Sequence, residues 1–211
     1  MQNRIVGSSA DYRLKFVGGV DRVADGGKMV GYNGEMKKDF TIKNVSLIES
    51  SIMRDWINDS REFKRTMWGL STSLLKEVAI LESLFEKYKS NVPKNVKLYR
   101  RMSITESEYA GFGFNSFMIG DEITPDELAI SSFSYDKNTA YEYAEKTGKS
   151  HKIGYIMSSN NGSILDITDF SAKSNEKETI LAKSIWYRID NIKEFKTEDG
   201  LWKILKISPV E

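Results

Sequence analysis

The sequence contains no cysteine. That excludes disulfides, a thiolate nucleophile and any cysteine-bound zinc or iron–sulfur centre. It contains a single histidine, His151, so a two-histidine metal site is impossible. A serine–histidine–acid triad would have to use that one residue, which stands in "TGKSHKIGY", a polar loop running into a strand. Charge of either sign is not in excess. The net charge of +1 gives no field for non-specific attraction to nucleic acid or to an acidic membrane, although a local basic patch stays open. No apolar run approaches the roughly 20 residues of a membrane span. The opening "MQNRIVGSSADYRLKF" lacks the apolar stretch of a signal peptide. A cytoplasmic protein is expected, with delivery by a non-classical route left open.

What is present suits an ordinary globular chain. Its 211 residues are 40% apolar and 29% charged, enough for one large domain or two small ones. Residues 1–45 differ from the rest, because seven of the 15 glycines fall in the first 34 positions. Tyr12, Leu14 and Phe16 alternate as in a short strand, and Asp25-Gly26-Gly27-Lys28 is a turn signal. This segment reads as a glycine-rich arm or short hairpins, too small for a core of its own. No helix follows the glycines directly, which argues against a phosphate-binding loop.

Residues 46–211 read as the main domain. Ser46 and Glu49 have capping-box spacing, and Ile48, Ile52 and Trp56 repeat every four residues. A second helix is predicted over about 72–89, where Leu74, Val78, Leu81, Phe85 and Tyr88 form one apolar stripe, the face of a core rather than a partner site. Strands are predicted near 96–102, 128–135, 152–158, 163–168, 178–183, 185–190 and 201–207. Between the second and third, Asp136 is a candidate N-cap, Ala140, Tyr141 and Ala144 form an apolar side, and Gly148 is a candidate stop. Thr124-Pro125-Asp126-Glu127 is a further capping signal, and "TEDG" a hairpin turn. Helices first and strands second indicate an α+β fold.

Three pieces of this chain carry chemistry. In "VKLYRRM", Arg100 shares a strand face with Val96 and Leu98, and a guanidinium there needs an anion or a paired partner. A structural salt bridge would meet that need, and so would a phosphate. In "ISSFSYDKNTAYEYA", Ser132 and Ser134 alternate on a strand and face together, as they would on any exposed face. In "SNEKETILAK", Glu176 and Glu178 flank Lys177 just before an apolar strand. Glu106-Ser107-Glu108 has the same spacing without a following strand, so spacing alone decides little.

In this order the three pieces resemble the arginine–serine–glutamate class of mono-ADP-ribosyltransferases. That class carries an aromatic–arginine strand, then Ser-x-Ser leading to a helix, then Glu-x-Glu entering a later strand. "LYRR", "SFS" and "EKE" occupy those places, 32 residues apart from Arg100 to Ser132 and 46 from Ser132 to Glu178. The resemblance covers roughly 46–208. The helices before "KNVKLYRRM" are similar to the lead-in of clostridial binary toxins, and "SFSYDKNTA" to the small Mod- and Alt-type enzymes of T-even bacteriophages. The family's central threonine is Phe133 here. A literal Ser-Thr-Ser at 71–73 precedes Arg100 and opens a helical pattern, so its order and context are wrong.

The resemblance implies a core of two packed, mainly antiparallel sheets with N-terminal helices, acting as a monomer on NAD without a metal. It implies Glu178 as the catalytic carboxylate, Ser132 orienting it and Glu176 serving an arginine acceptor on a target protein. Arg100, Tyr99, Arg101, Ser134 and Phe170 would hold the dinucleotide. A phage enzyme in a host bacterial cytoplasm, modifying proteins such as RNA polymerase, is the leading expectation. A secreted or defence toxin, an NAD glycohydrolase, a transferase to RNA and a catalytically dead binding domain are its rivals.

Overall fold

The computed structural model describes residues 23–24, 28–29 and 36–210, without 126–128, 146–148, 160–162, 171–176 and 183–184. Expectations at Tyr12, Leu14 and Phe16, at Asp25 to Gly27, at Asp126 and Glu127, at Gly148 and at Glu176 lie outside the described residues. Two short strands, β1 (Val23–Ala24) and β2 (Lys28–Met29), pair antiparallel. No helix among the described residues is long and apolar enough to cross a membrane.

The helical lead-in starts where the capping signal placed it. Ser46 caps α1 (Leu47–Asn58): its hydroxyl accepts from the Glu49 N–H, and Glu49 accepts from the Ser46 N–H, the reciprocal pairing of a capping box. The buried stripe is Glu49, Ile52, Met53 and Trp56. Ile48, expected on that stripe, is exposed instead. Extended backbone at Asp59 ends α1, and a separate helix not read from the sequence follows, α2 (Arg61–Met67). In α3 (Leu75–Lys87), Val78, Leu81, Leu84 and Phe85 are buried, close to the predicted stripe. Strand β3 (Lys38–Asp39) pairs in parallel with β4 (Tyr88–Lys89) directly after α3. Phe40 and Val45, from the segment assigned to the arm, belong to the same core as α1 and α3.

Eight strands follow in one hydrogen-bonded order: β6 (Glu122–Ile123), β11 (Tyr187–Thr197), β12 (Gly200–Pro209), β8 (His151–Ser158), β5 (Lys97–Ile104), β7 (Ser131–Ser134), β10 (Glu178–Leu181) and β9 (Ile164–Asp166). Among the described residues, only β12 and β8 run parallel in this sheet. The joint between β5 and β7 is a single register pair, Tyr99 with Ser134. About that joint the two halves pack face to face. Phe133, Leu181 and Ile164 from the three-stranded half share one core with Leu98, Ile153, Leu205 and Ile207 from the other. The expected pair of packed, mainly antiparallel sheets is thus borne out, and the pair is hydrogen-bonded through β5 and β7. The outer face of the three-stranded half packs on α1 and α3 through Ile180 and Leu165, and Phe170, from the 3-10 turn after β9, joins the same core.

The "TEDG" turn joins β11 to β12, and Gly200 sits there at φ +130° with its α-carbon against the Ser150 carbonyl, where a side chain would collide. A short helix missed from sequence, α4 (Glu106–Gly111), is opened by Thr105 and Glu108 in a second capping box. Glu106-Ser107-Glu108 is therefore a helix start, which accounts for the spacing it shares with the later glutamates.

Candidate active site

The site forms where the sheet halves join. Along β7 the side chains alternate as a strand dictates. Phe133 is buried in the core between the halves, while Ser132 and Ser134 lie on the other face with their cross-strand partners. The register pairs Glu178 with Ser134 and Ile180 with Ser132. Glu178, Ser134 and Tyr99 consequently lie in one row across three strands. The position where the family has threonine points away from this row, so a phenylalanine there fills core rather than site.

Hydrogen bonds fix the ends of these strands. The Ser134 hydroxyl accepts the Asp136 N–H at 3.0 Å. Asp136 in turn caps α5 (Lys137–Glu145), accepting from the Asn138 N–H at 2.7 Å, as the sequence indicated. The Tyr135 hydroxyl donates to Asp166 at 2.9 Å, tying the end of β7 to β9. Burial, and the Asp166 carboxylate beside it, push the Tyr135 phenol well above its ordinary range. Just before β10, Lys177 adopts φ 41°, and its carbonyl accepts the Tyr135 N–H. That turn delivers Glu178 into the ladder.

Arg100 donates from Nη1 to the Ser132 carbonyl at 3.0 Å, so the expected guanidinium and serine strand meet. Arg101 goes elsewhere. It is buried on the opposite face of β5, under α5, with its guanidinium 3.7 Å from the Tyr141 ring centre and 5.2 Å from that of Trp202. Gly154 makes room for it, since a side chain there would approach Nη1 to 3.0 Å. Burial lowers the basicity of Arg101. Its guanidinium is thus stacked between Tyr141 and Trp202 rather than beside Ser132. Phe170 is 4% exposed and packs on Phe40 at 5.6 Å between ring centres, in the helix-side core.

The competing motifs resolve into local structure. Ser71 and Ser73 both donate to the Glu62 carboxylate, a cluster between α2 and α3. His151 stacks on Tyr109 at 4.3 Å and sits 3.3 Å from Glu106, with Ser150 on its other nitrogen. Among the described residues, no group of three or more His, Asp or Glu is placed to hold a metal ion. One contact was not anticipated. The Trp56 indole N–H donates to Glu178 Oε1 at 3.3 Å. The sequence marked Trp56 only as the last member of an apolar stripe. The available signal was that a buried tryptophan usually finds a partner for its N–H.

No protein-family model and no curated protein matches the chain. Solved structures do. The ADP-ribosyltransferase Vis from Vibrio splendidus, in complex with an inhibitor, superposes with a TM-score of 0.60 at 17% identity over 80% of this chain and 75% of that one. Plx2a, an ADP-ribosyltransferase toxin from Paenibacillus larvae, gives 0.61 at 13% identity over 80% and 89%. C3stau2 from S. aureus gives 0.58 at 15% over 82% and 99%. Built from two joined half-sheets behind a helical lead-in, the chain has the fold of the ADP-ribosyltransferase toxins.

Proposed function

We propose that this protein is an NAD-dependent mono-ADP-ribosyltransferase that modifies arginine side chains of target proteins. The observation that carries the reading is the row Glu178–Ser134–Tyr99, with Arg100 bonded to the serine strand beside it. Residues far apart in the chain and singled out by one chemistry converge on one joint. Among the structural neighbours, C3stau2 was solved with NAD, and Vis was also solved with agmatine, a small guanidinium compound.

The chemistry follows from what each group does. Cleavage of the bond between ribose C1′ and the pyridinium nitrogen sends the bonding electrons to nicotinamide, which leaves neutral. Positive charge develops on the sugar, as in glycoside cleavage. Glu178, fixed near C1′ and the 2′-hydroxyl, stabilises that charge as it forms. Arg100 faces the diphosphate, for which its planar fork is suited. Ser132 and Ser134 orient Glu178. A guanidinium nitrogen of the acceptor then bonds to C1′. Because guanidinium is cationic and a poor nucleophile, with a pKa of roughly 13.8, a carboxylate beside it, Glu176, orients it and takes the released proton.

The acceptor is proposed to be a bacterial host protein, RNA polymerase among the candidates, and the protein a phage-type enzyme. The support for that part is the stretch "SFSYDKNTA". Incubation of the purified chain with NAD labelled in its adenylate half and a bacterial lysate tests the whole reading. Label should enter protein at arginine, resist RNase and disappear with Glu178→Gln. Nicotinamide release with no labelled acceptor would make the protein a glycohydrolase. Label that RNase removes would make RNA the acceptor. Undiminished labelling by Glu178→Gln would reject the site.

A further inference from the structure

We propose that Trp56 is a positioning residue for this reaction, its indole N–H holding one oxygen of Glu178 so that the other faces the sugar. This rests on the reading of Glu178 as the catalytic carboxylate.

The two residues are 122 positions apart and meet at 3.3 Å between Nε1 and Oε1. The terminal torsion of a glutamate is broad. A carboxylate on the first residue of a strand would rotate unless its far end were held. The near end is held by the turn at Lys177 and by pairing with Ser134. The Trp56 N–H holds the far end. An indole nitrogen only donates, so it leaves no ambiguity about which partner carries the proton.

The donor is itself rigid. Trp56 is 1% exposed. Phe63 meets its ring edge-on at 5.7 Å, and the Lys64 ammonium stands 5.9 Å from its centre. A phenylalanine could fill the same apolar space in α1, but it would offer Oε1 nothing. Tryptophan at this position is therefore explained by Glu178 rather than by packing alone. The lead-in helices then carry a group that acts through the catalytic carboxylate, in addition to covering the sheet.

The full chain and two variants, Trp56→Phe and Phe63→Leu, separate the possibilities. Phe63→Leu loosens the same ring and keeps the donor. Nicotinamide release gives kcat and KM for NAD, thermal unfolding gives Tm, and the indole N–H signal is followed by NMR. Losing one hydrogen bond to a charged group should lower kcat of Trp56→Phe about 10- to 100-fold. KM should stay within about threefold, because binding of NAD is not what the bond serves. Phe63→Leu should lower Tm with a smaller effect on kcat. The indole signal absent from Trp56→Phe should move in Glu178→Ala. Wild-type kcat in Trp56→Phe would overturn the proposal, as would a loss that merely follows Tm as in Phe63→Leu, or an indole signal indifferent to Glu178→Ala. A wild-type chain that releases no nicotinamide would instead remove the reading of Glu178, and this proposal with it.

Discussion

Glu178 is the cross-strand partner of Ser134 in the ladder between β7 and β10. Directly opposed side chains have their β-carbons about 5 Å apart, whereas diagonal neighbours are about 7–8 Å apart. Ser134, rather than Ser132, is therefore the nearer hydroxyl to the carboxylate. Ser134→Ala should lower kcat for nicotinamide release about tenfold or more, the scale of a lost hydrogen bond to a charged group. Ser132→Ala should do less. Equal losses, or the reverse order, would show that the hydroxyl orienting Glu178 is not set by register.

In the proposed mechanism Glu176 serves the acceptor and not the sugar. Glu176→Gln should abolish transfer to a guanidinium such as agmatine while nicotinamide release into water continues at a rate within about tenfold of wild type. Parallel loss of both activities would place Glu176 in the cleavage step instead.

Phe133 stands where the family has threonine, yet its ring is 3% exposed in the core between the half-sheets. Phe133→Thr should thus cost stability rather than chemistry: about 3 kcal/mol from the lost burial and the cavity left behind. For a chain of this size that is a fall in Tm of roughly 6–12 °C. Nicotinamide release per folded molecule should persist. An unchanged Tm with altered kcat would contradict the core assignment.

Glu49 ties α1 to α3. It is buried and accepts hydrogen bonds from Lys87 at 2.6 Å and from the Tyr88 hydroxyl at 3.0 Å. Burial works to raise its carboxyl, but the bonds from Lys87, Ser46 and Tyr88 outweigh it and hold the group at about 2, below its ordinary 4.5. A depressed carboxyl stabilises the fold fully above about pH 4.5, and that contribution is lost as pH falls toward 2. The loss should reach about 3 kcal/mol. Chemical unfolding of the wild type and of Glu49→Gln across pH 2–6 checks this. The variant should be less stable near neutrality and show a flatter acid limb, and identical limbs would disprove the linkage.

Much of the architecture was legible because it is written locally. The Ser46–Glu49 box, the α3 stripe, the Asp136 cap and the "TEDG" turn each depend on residues within a few positions of one another. The order of "LYRR", "SFS" and "EKE" was legible for the same reason, and a strand's period of two already placed Ser132 and Ser134 on one face. Local patterns also misled. Ile48 fitted the α1 stripe and is exposed, and α2 lies unmarked between the two helices that the sequence indicated.

By itself the sequence determined which chemical groups this protein owns, in what order, and which short segments present them. Tertiary structure alone decided their company. It parted neighbouring arginines, sending Arg100 to the serine strand and Arg101 beneath α5. It sank Phe170 into the core, set Ser134 across from Glu178, and brought Trp56 to the same carboxylate. Those outcomes depend on strand register and on helix packing across tens of residues. A slip of one position would turn every side chain of a strand to its other face, and no short stretch of sequence holds that information.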